Sequence, residues 1–332
     1  MKAIILQQQV FESTEMPQPV PGDGEVLVRI TAAAFNPIDY QMRQGAKESQ
    51  LLKSTILGRE MAGVVVAKGN NSAPFAVGDA VAAYIGSLSS NGAFAEYSSV
   101  PVQLLAPKPK GVSFAEAAAL PMAGMTALQC FDRLAATPGA TIFMSGGAGG
   151  VGTILIKLWM AHGITNIVTT AGNAQSRTHL LALGITAENC IDYRQPDYQK
   201  AIEARSEHGS FAICVDLVGG SLSEMCSTLV KVNGTYVDVT NAITEKARGL
   251  LFDKAVTVLH AANYAYTLTG NPADTAYYGT ALKRLFTLIE SGILSPAPVT
   301  IVGDYSTTTV EKALQLLENN QAQGRKLVMT IP

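Results

Sequence analysis

Charge is scarce in this sequence. Of its 332 residues only 15% are charged, with 24 Lys and Arg set against 26 Asp and Glu, a net charge of -2. So small and balanced a charge supplies no field for nucleic acid or for an anionic membrane surface, and the expected partner is a small molecule. Cysteine is nearly as sparse. Cys130, Cys190, Cys214 and Cys226 form no Cys-x-x-Cys pair, which argues against a disulfide framework or a structural zinc lobe and reads as buried thiols in a reducing compartment. The four histidines, His162, His179, His208 and His260, show no ligand spacing. No apolar run is long enough to span a bilayer, and the opening MKAIILQQQV lacks the apolar core of a signal peptide. The expectation is a soluble, cytoplasmic protein. Internal repeats and low-complexity segments are also missing.

A chain of this length predicts about two domains with a cleft between them, and its texture changes near Leu120. Before that point, short β-branched stretches such as Val26 to Ala32 and Gly63 to Ala67 alternate with turn clusters (PGDGE, GNNSAP, SSNGA), the pattern of an antiparallel β domain. After it, six apolar runs (ATIFMS, NIVTTA, NCIDY, FAICVDLV, GTYVDVT, AVTVLHA) are separated by segments of helical spacing or length. This predicts a doubly wound parallel sheet of six strands. The last part reads as a helix over Thr280 to Ser291, a strand at VTIVGDY, a helix over Thr308 to Asn320 and a final strand, KLVMTI.

Between the first of the six runs and its helix lies SGGAGGVG. Gly147, Gly149 and Gly152 match G-x-G-x-x-G, a glycine elbow that lets backbone amides meet a pyrophosphate at a helix N-terminus. The bland reading, a tight turn with no ligand, is outweighed by the five strands that follow. At the end of the second run a carboxylate for a ribose 2′-OH is missing. The sequence there is TTAGNAQSR, with Thr170, Asn173 and Ser176 as polar donors and Arg177 as a cation. That set suits the 2′-phosphate of NADPH, although Arg177 also reads as a solvated charge on the next helix.

The motifs PGDGEVLVRITAAAFNPIDYQMRQG, LGREMAGVVVAKG, VGDAVAAY, GAFAEYSSV, LPMAGMTALQ, SGGAGGVG, CIDYR and GRKLVM span essentially the whole chain. On them the sequence resembles a medium-chain dehydrogenase/reductase, in the zinc-independent quinone oxidoreductase group. The resemblance implies an α/β fold with a GroES-like β domain over 1–122 and 270–332 and a Rossmann, NADPH-binding domain over 123–269. It implies Asn36 and Thr126 near the nicotinamide, Gly149, Gly150 and Val151 at the pyrophosphate, and Tyr193 at the adenosine. Thr240, Asn241 and the stretch around Ala262 would approach the carboxamide, and Arg325 would reach the cofactor.

The departures are informative as well. Zinc-dependent relatives carry a Cys where this chain has Asn36 and a His where it has Arg59 in Gly58-Arg59-Glu60. With neither thiolate nor imidazole, no catalytic metal is expected. The implied chemistry is hydride transfer from NADPH to a quinone or an α,β-unsaturated carbonyl, with hydrogen-bond donors stabilising the developing charge. Tyr40 and Asn36 are the candidate catalytic residues. For Tyr40 a packed ring with a satisfied hydroxyl is an equal alternative. Arg59 reads either as a charge in place of zinc or, preferably, as an ion pair with Asp39 or Glu60, and Asp39 with Arg43 as a second structural pair. Tyr264 and Tyr266 read as a pocket wall or as interface packing. A homodimer through the edge strand AVTVLHAA is expected, because a bare apolar edge invites aggregation. A second functional class stays open: a non-catalytic protein that holds NADPH in a structural or redox-sensing role.

Overall fold

The computed structural model describes residues 1–332, apart from the side chain of Glu207. Two units divide the chain: Met1–Met125 with Asn263–Pro332, and Thr126–Ala262. The second crossing lies earlier than the expected 269/270. The reason is local, since Asn263 Nδ2 donates to the carbonyl of Met122 at 2.9 Å and its own carbonyl accepts from Tyr278 Oη at 2.5 Å. These bonds hold the segment after Ala262 to the first unit.

The Thr126–Ala262 unit is a Rossmann fold. Its six strands lie in the order Cys190–Asp192, Ile167–Ala171, Ile142–Ser145, Phe211–Asp216, Val230–Asp238, Thr257–His260, all parallel. The six apolar runs read from the sequence are these six strands. Phe143, Val168, Phe211, Cys214 and Tyr236 are buried on the sheet, packed against Cys226 and Leu229 of the helix Ser221–Leu229 and Leu251 of the helix Glu245–Asp253. Burying each large apolar side chain contributes roughly 1.5–3 kcal/mol.

The other unit is a GroES-like β domain. Its largest sheet runs Val299–Asp304, Lys326–Thr330, Glu25–Ala34, Glu60–Lys68, Ala80–Tyr84, Leu105–Pro107, with Tyr97–Pro101 also paired to Glu25–Ala34. Pairing is antiparallel except between Val299–Asp304 and Lys326–Thr330. That parallel pair is joined through the helix Thr307–Glu318, the crossover that parallel strands require. The long helix here begins eight residues before the expected Thr280, at Pro272. Asn271 caps it by accepting from the Ala273 amide, and Pro272 occupies the first turn, where it needs no N–H partner. All four cysteines are buried and free. Among the described residues no helix is long and apolar enough to cross a membrane.

Candidate active site

In the Rossmann unit the polar site is built chiefly from backbone at the C-terminal ends of the strands, where open α/β sheets bind ligands. The helix Gly150–Ala161 starts at Gly149 with no side-chain cap. Its first-turn amides are therefore available to an anion. Gly152 lies so close to Gly147 that an added Cβ would fall 2.5 Å from the Gly147 carbonyl oxygen. Gly147 cannot retreat, because a Cβ there would fall 2.3 Å from Thr169 Oγ1, which is itself bonded to the Met144 carbonyl at 2.8 Å. The spacing of the glycines is thus a packing requirement. The elbow fits a dinucleotide pyrophosphate: the backbone is bare, the helix start uncapped and Gly149 exposed.

After the next strand, Asn173 caps the helix Ala174–Ala182 by accepting from the Ser176 amide at 2.8 Å, and Thr170 is buried in the strand. Tyr193 is 43% exposed and lies over Gly172, where a Cβ would come within 2.1 Å of its hydroxyl. Thr240 and Asn241 follow the strand Val230–Asp238, their amides donating to Asp238 Oδ1 at 3.1 and 2.8 Å. Ala262 ends the unit after the edge strand, and Thr126 is buried at its start. Thr170, Asn173, Tyr193, Thr240 and Asn241 thus lie at or just after C-terminal strand ends, while Thr126 lies in the helix Pro121–Leu134. Arg177, read as the cation for a 2′-phosphate, donates instead to the carbonyls of Cys190 at 2.6 Å and Ala187 at 2.9 Å. Those carbonyls bracket the start of the short edge strand Cys190–Asp192, and the guanidinium ties them together.

A residue that the sequence reading missed organises this end of the sheet. Asp216 is fully buried. Its Oδ1 accepts from Ser145 Oγ at 2.8 Å and from the amides of Val218 and Gly219 at 3.0 and 2.9 Å, and its Oδ2 accepts from Tyr236 Oη at 2.8 Å. Ser145, which precedes the glycine elbow, accepts in turn from the Leu217 amide at 3.1 Å.

In the GroES-like unit the polar site is made of charged side chains. Strand register assembles it: Ala34 pairs with Glu60 on one side and with Val328 on the other, so Asn36, Glu60 and Lys326 converge just beyond the paired ends. Asn36 Nδ2 donates to Glu60 Oε1 at 2.7 Å. The Lys326 ammonium donates to the same Glu60 oxygen and to Asn36 Oδ1, both at 2.6 Å. Glu60 Oε2 accepts the Met122 amide at 2.7 Å, in the first turn of the helix Pro121–Leu134, where a negative charge is favoured. Asn36, Glu60 and Lys326 are all buried.

Asp39 is fully buried beside them. Its Oδ2 accepts the Asn36 amide at 2.8 Å while its Oδ1 has no partner. Burial pushes this carboxyl up to about 7, reinforced by the Glu60 charge and opposed by the Asn36 amide, Arg59 and Lys326.

The expected ion pairs are rearranged. Glu60 pairs with Lys326, and Arg59, just before the strand Glu60–Lys68, reaches Ser87 Oγ and the Glu48 carbonyl and lies 5.8 Å from the Tyr84 ring centroid. Arg43 pairs with Glu311 at 2.7 Å and Glu318 at 3.7 Å, while Asp39 turns back to its own helix start. Tyr40 is half-buried, outside the Asn36 cluster, and its hydroxyl makes no hydrogen bond among the described residues. Arg325 is exposed and bonds Thr300 Oγ1 at 2.8 Å. Tyr266 stacks on Tyr277 at 4.1 Å, so it takes part in aromatic packing within this unit.

The alcohol dehydrogenase GroES-like domain family matches residues 22–110, and the zinc-binding dehydrogenase family matches residues 185–328. The chain is 31% identical over 319 residues to the 2-methylene-furan-3-one reductase of Solanum lycopersicum, an alignment covering 93% of this chain and 73% of that protein. It is also 31% identical to the chloroplastic NADPH-dependent alkenal/one oxidoreductase of Arabidopsis thaliana, over the same shares of both chains. Among solved structures it resembles the quinone oxidoreductase of Coxiella burnetii, with a TM-score of 0.83, 27% identity, and coverage of 100% of this chain and 99% of that one. The chain belongs to the medium-chain dehydrogenase/reductase family, in its quinone oxidoreductase group, and is an oxidoreductase. The zinc of one matching family does not fit here: where a metal would need thiolate or imidazole donors there stand the Asn36 amide, the cations Arg59 and Lys326, a carboxylate already engaged by Lys326, and Asp39, one oxygen of which is taken by the Asn36 amide.

Proposed function

We propose that this chain reduces quinones or α,β-unsaturated carbonyls with NADPH. The observation that carries the reading is the buried Asn36–Glu60–Lys326 cluster, which offers hydrogen-bond donors and a fixed ammonium but no metal ligand set. Alcohol oxidation in this family depends on a metal to acidify the hydroxyl, whereas a conjugated acceptor needs only stabilisation of the charge that develops on its oxygen. The names of the tomato and Arabidopsis relatives support the enone class, and that of the Coxiella protein the quinone class. When bound, the reduced nicotinamide supplies a hydride.

The first-turn amides of Gly150, Val151 and Gly152, in the elbow packed on Gly147, hold the pyrophosphate, and Gly149, whose own amide donates to the Gly146 carbonyl at 3.0 Å, lets the backbone approach it. Thr170, Asn173, Ser176 and Tyr193 hold the adenosine end. Thr240, Asn241 and Ala262 serve the carboxamide, and Thr126 and Asn36 the nicotinamide ring. For NADPH over NADH the support is the missing carboxylate after Ile167–Ala171 and the helix start at Asn173 and Ser176, together with the relative named as NADPH-dependent. Arg177 and Arg325 serve the cofactor only by leaving the carbonyls and hydroxyl that they now hold. Tyr40, whose hydroxyl is uncommitted, donates to the acceptor oxygen or hands on a proton. A second copy covering the edge strand Thr257–His260 belongs to the same reading, since Val258 is 38% and neighbouring Phe252 86% exposed.

The test is NADPH and NADH consumption across a panel of quinones, enones and simple aldehydes, in the parent and in Tyr40→Phe. Expected are turnover with the conjugated acceptors, NADPH preferred, and a roughly hundredfold fall in enone kcat on losing the hydroxyl, the scale of one oxyanion donor. No turnover with any conjugated acceptor would sink the reading.

A further inference from the structure

We infer that Lys326 and Glu60 are positioning residues, a buried ion pair whose task is to fix which way the Asn36 carboxamide faces. The inference rests on the reading above that Asn36 acts at the reacting end of the cofactor. A carboxamide has two ends of nearly equal shape and opposite hydrogen-bonding character, one an acceptor and the other a double donor. In most settings either orientation is available at little cost. Here the choice is forced. The ammonium of Lys326 can only donate, so the group 2.6 Å from it must be Asn36 Oδ1. Glu60 Oε1 accepts from Asn36 at 2.7 Å, so the group there must be Nδ2.

Each partner is itself held. Lys326 spends a second proton on Glu60 Oε1 and lies 3.4 Å from the Phe35 carbonyl; Glu60 Oε2 is taken by the Met122 amide. With Glu60 fully buried and Lys326 nearly so, rotation of the amide would set donor against donor and acceptor against acceptor, without water to repair the loss. The second lone pair of Oδ1 and the second N–H of Nδ2 are thereby held in fixed directions, which is what a group acting on a bound ring needs. A pair meant only for stability would be a poor use of two buried charges, because apolar replacements of such pairs are often neutral or better.

A double variant that removes both charges separates orientation from stability. In Lys326→Met with Glu60→Gln, the glutamine oxygen can take the Met122 amide, leaving its NH2 toward Asn36. Asn36 then satisfies its neighbour only by turning Oδ1 to it, the reverse of the native orientation. The hydrogen bond between position 60 and Asn36 is remade, no buried charge is stranded, and the carboxamide is inverted.

Lys326→Met alone should lower Tm by roughly 10 °C, since it strands a buried carboxylate, and lower kcat about a hundredfold. NADPH affinity, read by fluorescence titration, should stay within about threefold, because the pyrophosphate and adenosine contacts lie elsewhere. The double variant should regain most of the lost Tm while kcat remains at least about thirtyfold down. Its Asn36 side-chain amide resonance, identified by its loss in Asn36→Ala, should shift. If kcat returns together with Tm, or if the Asn36 resonance does not move, the pair is structural and the inference falls. Should the single variant fail to fold, the double variant decides alone. A parent chain that turns over no acceptor overturns the functional reading, and the resonance then still decides whether the pair sets the amide.

Discussion

The two units finish their polar sites in different materials. In Thr126–Ala262, buried carboxylates such as Asp216 and Asp238 face inward to hydroxyls and loop amides, and the surface left for a ligand is backbone at the uncapped helix start, Gly149 to Val151. In the GroES-like unit four charges, Asp39, Arg59, Glu60 and Lys326, are buried together, and orphaned atoms remain at Asp39 Oδ1 and Arg59 Nε. Backbone amides carry a partial charge that stays the same at any pH and cannot be mispaired. Side-chain charges are stronger but have to be matched one by one, and an unmatched one has a cost. The first material suits an invariant anion such as a pyrophosphate. The second suits a place where charge develops during reaction.

The sharpest break in this contrast is expected at Asp39, where one oxygen has no partner and burial holds the carboxyl near 7. Below about pH 4 the group is protonated in both the folded and the unfolded chain. As the pH rises toward 7 the unfolded chain gives up its proton first, so the folded state binds more protons and its stability falls with rising pH. Above about 7 the loss is complete. A carboxyl moved from its ordinary value near 4 to about 7 corresponds to a loss of roughly 4 kcal/mol. Asp39→Asn imitates the protonated form and keeps an oxygen for the Asn36 amide. Chemical unfolding of parent and variant between pH 4 and 8 should diverge, with the variant gaining on the parent by up to that amount at pH 8. Parallel curves would mean that water or a rearranged donor reaches Oδ1.

The backbone-built site is broken by a single methyl group. Gly152→Ala places a Cβ 2.5 Å from the Gly147 oxygen, with Thr169 closing the retreat. The elbow must shift, and cofactor affinity measured by fluorescence titration should fall about a hundredfold, near 2.7 kcal/mol, the scale of a displacement of about 1 Å at a positioned group. Stability should fall by about 1–3 kcal/mol, as overpacking does. Unchanged affinity would show that the glycines serve only the turn.

This difference of material also governs what the sequence discloses. The Rossmann site is legible because its parts are local: Gly147, Gly149 and Gly152 lie within six residues of one another, between a strand and a helix that periodicity identifies. Four of the strands, Ile142–Ser145, Ile167–Ala171, Cys190–Asp192 and Phe211–Asp216, follow for the same reason, each a short and largely buried apolar run, while Val230–Asp238 and the edge strand Thr257–His260 expose several residues and are marked by their β-branched content. In the other unit Lys326 lies 266 residues beyond Glu60, and only strand register joins them. Nothing local marks Lys326 except that it begins an otherwise apolar strand, a charge where the pattern calls for burial. Arg59 and Arg177 misled for a related reason: the sequence reveals a cation, but not that Ser87 or a pair of carbonyls already holds it. Asp216 carried a faint signal, an acidic residue closing the apolar run FAICVD.

The comparison is sharpened by adding a side-chain charge to the site that now lacks one. Ser176 is the third residue of the helix that Asn173 caps, and its amide already donates to Asn173 Oδ1. A glutamate at that position is compatible with the fold, because it completes a capping box and places negative charge at a helix N-terminus. If the adenosine ribose lies against this turn, Ser176→Glu offers an acceptor to the 2′-OH of NADH and a repulsive charge to the 2′-phosphate of NADPH. The site is partly solvated, which screens the repulsion, so a shift of about tenfold in the NADPH to NADH affinity ratio is expected, near 1.4 kcal/mol. Ser176→Gln keeps the capping geometry without the charge and should leave the ratio within about twofold. A ratio that moves equally in both variants would assign the change to the helix start. A ratio that moves in neither would place the 2′-phosphate away from this turn and give the discrimination to residues beyond it, with Tyr193 and Arg194 after the neighbouring edge strand the next to substitute.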